Sequence, residues 1–177
     1  MEAPFEIGFD DLTPQGKPLP GGKYLVDVYE AMEEETEQGN VRVMRQYGNI
    51  RLPGGEVEFT ATDGSTYHIG DRRLFARSWW THTNEQANAI GHKELGQEAV
   101  AAGLMEAPVK GEPKKGFPFA TAAEYAEALR GKTLLVTVRQ KVRTRKLADG
   151  TKENVLDEET QQPIVDSVVV RYQQPEG

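Results

Sequence analysis

One change of hydrophobic period constrains this chain more than any other feature. Up to Thr81 the apolar residues mostly alternate, as they do in half-buried strands. Thr83-Asn84-Glu85-Gln86 then forms a capping box, with Thr at the N-cap and Gln three residues on. Asn84–Ala102 follows with Ala87, Gly91, Leu95, Ala99 and Ala102 close to one helical stripe, and Gly103 is the stop. A Pro/Gly/Lys connector, Glu106–Phe119, leads to a second capping box, Thr121 to Glu124, opening a short helix that runs through Arg130 and ends at Gly131. Alternation then resumes.

The strand segments predicted on either side are Lys23–Met32, with Tyr24, Val26 and Val28 on one face, and Val41–Leu52, interrupted by Tyr47-Gly48-Asn49. A short pair over Val57–Ala61 and Tyr67–Ile69 turns at Asp63-Gly64. Arg72–Thr81, a long Thr133–Leu147 and Ser167–Tyr172 complete the set. Three strand units, a helix, a connector with a small helix and two strands is the order of the five-stranded oligonucleotide-binding (OB) Greek-key barrel. The expectation is a mainly β protein with one or two helices, the main helix lying between strands 3 and 4 and a long hairpin joining strands 4 and 5. Residues 1–22 form an extended arm punctuated by Pro14, Pro18 and Pro20, residues 23–173 the domain, and 174–177 a short tail. Ligands of this fold cross strands 2 and 3, between the 1–2 and 4–5 loops.

The strongest constellation lies in the third strand. Successive strand residues face opposite ways, so Arg73, Phe75, Arg77 and Trp79 share one face, while Leu74, Ala76, Ser78 and Trp80 make a plausible interior. Guanidinium groups interleaved with rings suit single-stranded nucleic acid, because bases stack on rings while cations meet phosphates. The competing reading packs Phe75 and Trp79 under the arm or a helix, with the arginines paired to the acidic segment. In the fourth strand Arg139, Lys141, Arg143 and Arg145 occupy one parity. Four cations on one side of a strand are best tolerated beside an anion. That anion is either phosphate or the protein's own Asp157, Glu158 and Glu159 on the return limb.

Charge is what makes this distribution informative. The chain has 177 residues and a net charge of −7, which by itself argues against a nucleic-acid partner. Residues 1–40, however, hold ten acids and two bases, whereas Arg130 to Lys146 hold seven bases and no acid. A ligand meets a patch, not an average. The absence of cysteine excludes a disulfide framework, a thiolate zinc site and a Cys nucleophile. His68, His82 and His92 lack metal-ligand spacing, Gly21-Gly22-Lys23 lacks the pattern of a phosphate-binding loop, and no nucleophile elbow occurs. No catalytic residue, metal or cofactor is therefore expected. The N-terminus has neither the basic nor the apolar region of a signal peptide, and no apolar run approaches the ~20 residues of a membrane helix.

The chain resembles a family of small bacteriophage proteins regarded as single-stranded-DNA-binding-like OB domains. The resemblance rests on "PLPGGKYLVDVYEA" opening the first strand, "GDRRLFARSWW" as the third and "NEQANAIGHKELGQEAVAAGL" after it. The corresponding positions are Gly22, Tyr24, Arg73, Leu74, Phe75, Leu95 and Gly103, and the likeness covers roughly residues 18–105. It implies a role in phage DNA replication or recombination in the cytoplasm of the bacterial host, and no catalytic residues. One departure is the tail: many single-strand binders end in an acidic segment that recruits partners, and Gln173–Gly177 has a single acid.

The resulting expectation is a non-enzymatic single-stranded DNA-binding protein with little sequence preference, partnered by DNA and by phage or host replication or recombination proteins, with no membrane association. The rival is a protein–protein interaction module of a phage replication or virion assembly. A third, weaker reading is a Mg²⁺-dependent nuclease built from scattered carboxylates.

Overall fold

The computed structural model describes residues 18–176. Most of the first expected arm lies outside them; within them, Leu19 is buried and its carbonyl accepts hydrogen bonds from Gln140 Nε2 (3.1 Å) and Ser167 Oγ (3.2 Å).

The alternation of the sequence becomes a five-stranded antiparallel sheet. Its strands are β1 (Gly22–Glu35), β2 (Val41–Arg51), β5 (Leu74–Thr81), β6 (Thr133–Val142) and β9 (Val165–Gln173), in the spatial order β5-β2-β1-β6-β9. Two short ribbons lie outside it: β3 (Glu58–Thr60) with β4 (Thr66–His68), and β7 (Thr144–Lys146) with β8 (Lys152–Asn154). The helices are α1 (Glu85–Ala101) and α2 (Ala122–Leu129).

One face of the sheet supplies the core. Tyr24, Val26, Val28, Val43, Tyr47, Leu74, Leu134, Val136, Val138 and Tyr172 are all buried, as alternation demands. Leu95 and Ala99 of α1 and Tyr125, Ala126 and Leu129 of α2 cover that face. Trp80 points the same way and meets Phe117 edge-on at 5.5 Å. The edge strands β5 and β9 share no ladder, yet residues 74–75 and 165–168 line one cleft of about 910 Å³, so the sheet curls to bring its edges together.

Gly91 explains how α1 seats. A Cβ there would lie 2.3 Å from the Trp79 carbonyl oxygen and 2.7 Å from its nitrogen. The helix therefore rests on the backbone of β5, and only glycine permits that approach. The helical cost of Gly91, about 1 kcal/mol relative to alanine, is the condition of this contact.

Several boundaries differ from expectation. The first strand continues through Glu33–Glu35 because these residues pair in register with Val43–Val41. The N-cap of α1 is Asn84, not Thr83: the Asn84 side chain accepts from the Ala87 amide at 2.9 Å. Thr121 does cap α2, accepting from Glu124 N at 3.2 Å, but the Glu124 carboxylate reaches back to Ala120 N. The fourth strand is not continuous to Leu147. It leaves the main sheet after Val142, and Arg143 instead exchanges backbone bonds with Ile164 and Val155 as the chain enters the β7–β8 ribbon.

Candidate nucleic-acid interface

The outer face of β1, β2 and β5 is organised by register. Three rows cross it: Glu34–Arg42–Trp79, Met32–Met44–Arg77 and Glu30–Gln46–Phe75. A β-bulge between Val28 and Glu30 adds one residue to β1 and leaves Tyr29 exposed. The Arg73 guanidinium sits 4.7 Å from the centre of the Tyr29 ring, and its other neighbour is Gly48, where a Cβ would fall 2.9 Å from an Arg73 terminal nitrogen. Arg73 is thus guided to this face by a ring on one strand and a missing side chain on the next.

The sequence places Arg73, Phe75, Arg77 and Trp79 together, and the structure puts Phe75, Arg77 and Trp79 in successive rows. Phe75, on the edge strand β5, is 57% exposed, and Tyr29, on β1, is 64% exposed. Trp79 differs. It is half-buried, its ring meets His82 edge-on at 4.5 Å, and the Arg42 guanidinium lies 5.7 Å from its centre. Tyr29, which shares the outward parity of Leu25 and Asp27, is the second exposed ring.

The face also carries its own anion. Glu34 Oε2 accepts from Arg42 Nε at 2.7 Å and from Arg77 Nε at 3.3 Å. Partial desolvation pushes the Glu34 carboxyl up, but the hydrogen bonds and charges of Arg42 and Arg77 outweigh it and hold the group below the ordinary glutamate range.

The cations of the fourth strand do not share one face, because the strand breaks among them. Arg139 and Lys141 lie on β6, exposed, opposite Val168 and Asp166 of β9. Arg143, at the break, makes a two-pronged pair with Asp166 at 2.9 and 2.6 Å. Arg145, on β7, pairs with Glu153 across the ribbon. The return limb does neutralise two of the four, as the competing reading held, but through Asp166 and Glu153 rather than Asp157, Glu158 and Glu159. Asp157 spends its carboxylate on the amides of Glu159 and Thr160 in the turn.

The two sets meet at one place. The cleft between the β5 and β9 edges is lined by Arg72, Arg73 and Phe75 on one side and by Arg143 and Asp166 on the other. Arg77, Trp79, Arg139, Lys141 and Arg145 stand outside it.

A second charged cluster lies on the inner face. Arg45 and Glu98 are fully buried, with Arg45 Nε 3.0 Å from Glu98 Oε1. The Arg45 terminal nitrogens donate to the Val43 carbonyl (2.9 Å) and the Tyr172 hydroxyl (3.1 Å). Tyr125 donates to Glu98 Oε1 at 2.7 Å, and Tyr47 to Oε2. Burial raises the three tyrosines, Tyr172 to about 12, so all stay neutral, Tyr47 and Tyr125 as donors to Glu98 and Tyr172 as an acceptor from Arg45. Burial works against the Arg45 charge, but Glu98 more than restores it. The signals were present in the sequence: Arg45 shares parity with Val43 and Tyr47, and Glu98 falls on the helical stripe between Leu95 and Ala102.

Among the described residues no group of three or more His, Asp or Glu is placed to hold a metal ion, and no helix is long and apolar enough to cross a membrane. No model of a known protein family matches the sequence, and no curated protein matches it as a relative.

Proposed function

We propose that this protein binds single-stranded DNA on the outer face of β1, β2 and β5, without catalysis and with little sequence preference. The observation that carries the reading is the exposed Phe75, set between Arg77 on β5 and Arg73 just before the strand begins. The strand order β5-β2-β1-β6-β9, with α1 between β5 and β6 in the chain, supports an OB-like barrel in which this is the ligand face. Phe75 and Tyr29 offer stacking surfaces. Arg73 and Arg77 meet phosphate, and the cleft extends the path to Arg143. Arg139 and Lys141 add positive field from β6. A role in phage DNA replication or recombination follows from the sequence resemblance.

A second reading, a hairpin that docks on another protein, is favoured by the pairing of Arg143 with Asp166 and Arg145 with Glu153. Salt titration of binding to fluorescent oligo-dT separates the two. The first reading expects anisotropy to rise, tryptophan fluorescence to change, and the log-log salt slope to be about −0.7 per phosphate contacted. No binding at low salt would sink it.

A further inference from the structure

The outer face holds an anion site that the chain fills itself. Two guanidinium groups from different strands, Arg42 on β2 and Arg77 on β5, converge on one carboxylate oxygen, Glu34 Oε2. Like charges brought that close repel, and the arrangement persists because an anion sits between them. Register fixes both cations: Arg42 lies opposite Trp79 and Arg77 opposite Met44, one row apart, with Glu34 opposite Arg42 on the far side. Within the run Glu33–Glu37, Glu34 is the acid that pairs here.

The fit to phosphate is chemical. A phosphodiester oxygen, like a carboxylate oxygen, carries negative charge and accepts charge-assisted bonds from guanidinium N–H groups. Arg42 and Arg77 already hold the geometry that such an oxygen needs. The Glu34 side chain is 26% exposed, near the end of β1, so it can swing into water when replaced. An ion pair at this exposure contributes little to folding, and exchanging one anion for another is correspondingly easy.

We infer that Arg42 and Arg77 form a phosphate subsite, and that Glu34 occupies it as a phosphate mimic until a nucleic-acid backbone displaces it. The inference rests on the proposed ligand face and names its regulation: Glu34 sets affinity by competing for the two arginines. It also predicts a bias toward ligands with closely spaced phosphates, since a lone weak anion gains nothing over the tethered carboxylate.

The test uses Glu34→Gln in the full chain, with two probes. Oligo-dT offers bases and phosphates; inorganic polyphosphate offers phosphates alone. Glu34→Gln should bind both about five- to tenfold more tightly, the order expected for one unit charge at contact distance in a solvated site. Its oligo-dT salt slope should steepen by about 0.7, one phosphate's share. In an Arg42→Ala/Arg77→Ala background the same substitution should change neither probe more than twofold; an equal gain there would mean a general charge effect and would overturn the subsite. Unchanged or weaker binding of both probes by Glu34→Gln would overturn it too, and would make Glu34 a positioning group. Tighter polyphosphate binding by Glu34→Gln with no oligo-dT binding by any variant would leave the subsite standing and remove the proposed function. Oligo-dT binding that Glu34→Gln leaves unchanged would do the reverse.

Discussion

Strand β2 carries two arginines three residues apart that meet the same partner chemistry and come to opposite ends. Arg45 faces inward to Glu98, with no exposure on either side chain. Arg42 faces outward to Glu34, with about a third and a quarter of the two side chains in water. Strand parity decides this, and parity decides what the pair can do. Inside, each removed hydration bond must be replaced, and three tyrosines and a carbonyl replace them. The pair can exchange with nothing. Outside, water competes at every position, the bond is weak, and an incoming anion can take the place of the carboxylate.

The comparison breaks hardest at Glu98. Glu98→Gln keeps the shape and one acceptor oxygen but leaves Arg45 a buried, unpaired cation. The expected loss is about 3–5 kcal/mol, seen as a drop in urea midpoint with an unchanged slope. Glu34→Gln should shift the same midpoint by less than about 1 kcal/mol. Equal losses would mean that the two pairs do not differ in the way their burial implies.

The seat of the inner cluster can be moved without touching a charge. Gly91→Ala pushes a methyl group into the Trp79 backbone. Overpacking of this kind costs about 1–3 kcal/mol, and because Glu98 sits two turns along the same helix, its bonds should loosen as well. Near-ultraviolet circular dichroism from Trp79, Trp80 and the buried tyrosines should lose intensity before helix signal is lost. A variant with wild-type stability would show that α1 can shift on β5, against the close approach described.

The outer face is tested at Phe75. Phe75→Ala should weaken oligo-dT binding by about 1–3 kcal/mol without flattening the salt slope, since it removes stacking and no charge. Its urea midpoint should hardly move, because the ring is more than half exposed. A large stability loss with unchanged binding would reassign Phe75 to packing.

Much of this was legible in the residues, for reasons that also mark the limit. Alternation identified Tyr24, Val26 and Val28 as inward and Phe75 and Arg77 as outward, because period 2 is a property of one strand. What alternation cannot see is a bulge, which turns Ala31 inward and Glu30 outward, or a break, which separates Arg139 from Arg145; Tyr29 has outward parity, but its neighbour Arg73 is a long-range fact. Gly91 taken within its helix alone is a cost of about 1 kcal/mol, and only its neighbour on β5 explains it. Arg45 and Glu98 were each visible as polar residues on apolar stripes, but only the fold shows that the two stripes face each other. Which acids quench the hairpin depended on the register of β6 with β9 and of β7 with β8, and that register is a long-range fact.

The mildest change belongs to Asp166, which holds Arg143 at the edge of the cleft. The hydrogen bonds from Arg143 lower the Asp166 carboxyl below its usual range, against some desolvation. Its folded-state pKa is therefore below the unfolded value, so the pair stabilises at neutral pH and the contribution fades as pH falls through the folded value. Asp166→Asn should cost less than about 1 kcal/mol near pH 7, because the pair is largely solvated, and the gap from wild type should close below about pH 4, the ordinary aspartate range. The same substitution frees Arg143 toward Arg73 and Phe75. Oligo-dT affinity at low salt should then rise severalfold while stability falls slightly, the opposite of the inner pair, where lost stability brings no ligand gain. If Asp166→Asn left oligo-dT binding unchanged while Phe75→Ala weakened it, the DNA path would stay on the sheet face and stop short of the cleft.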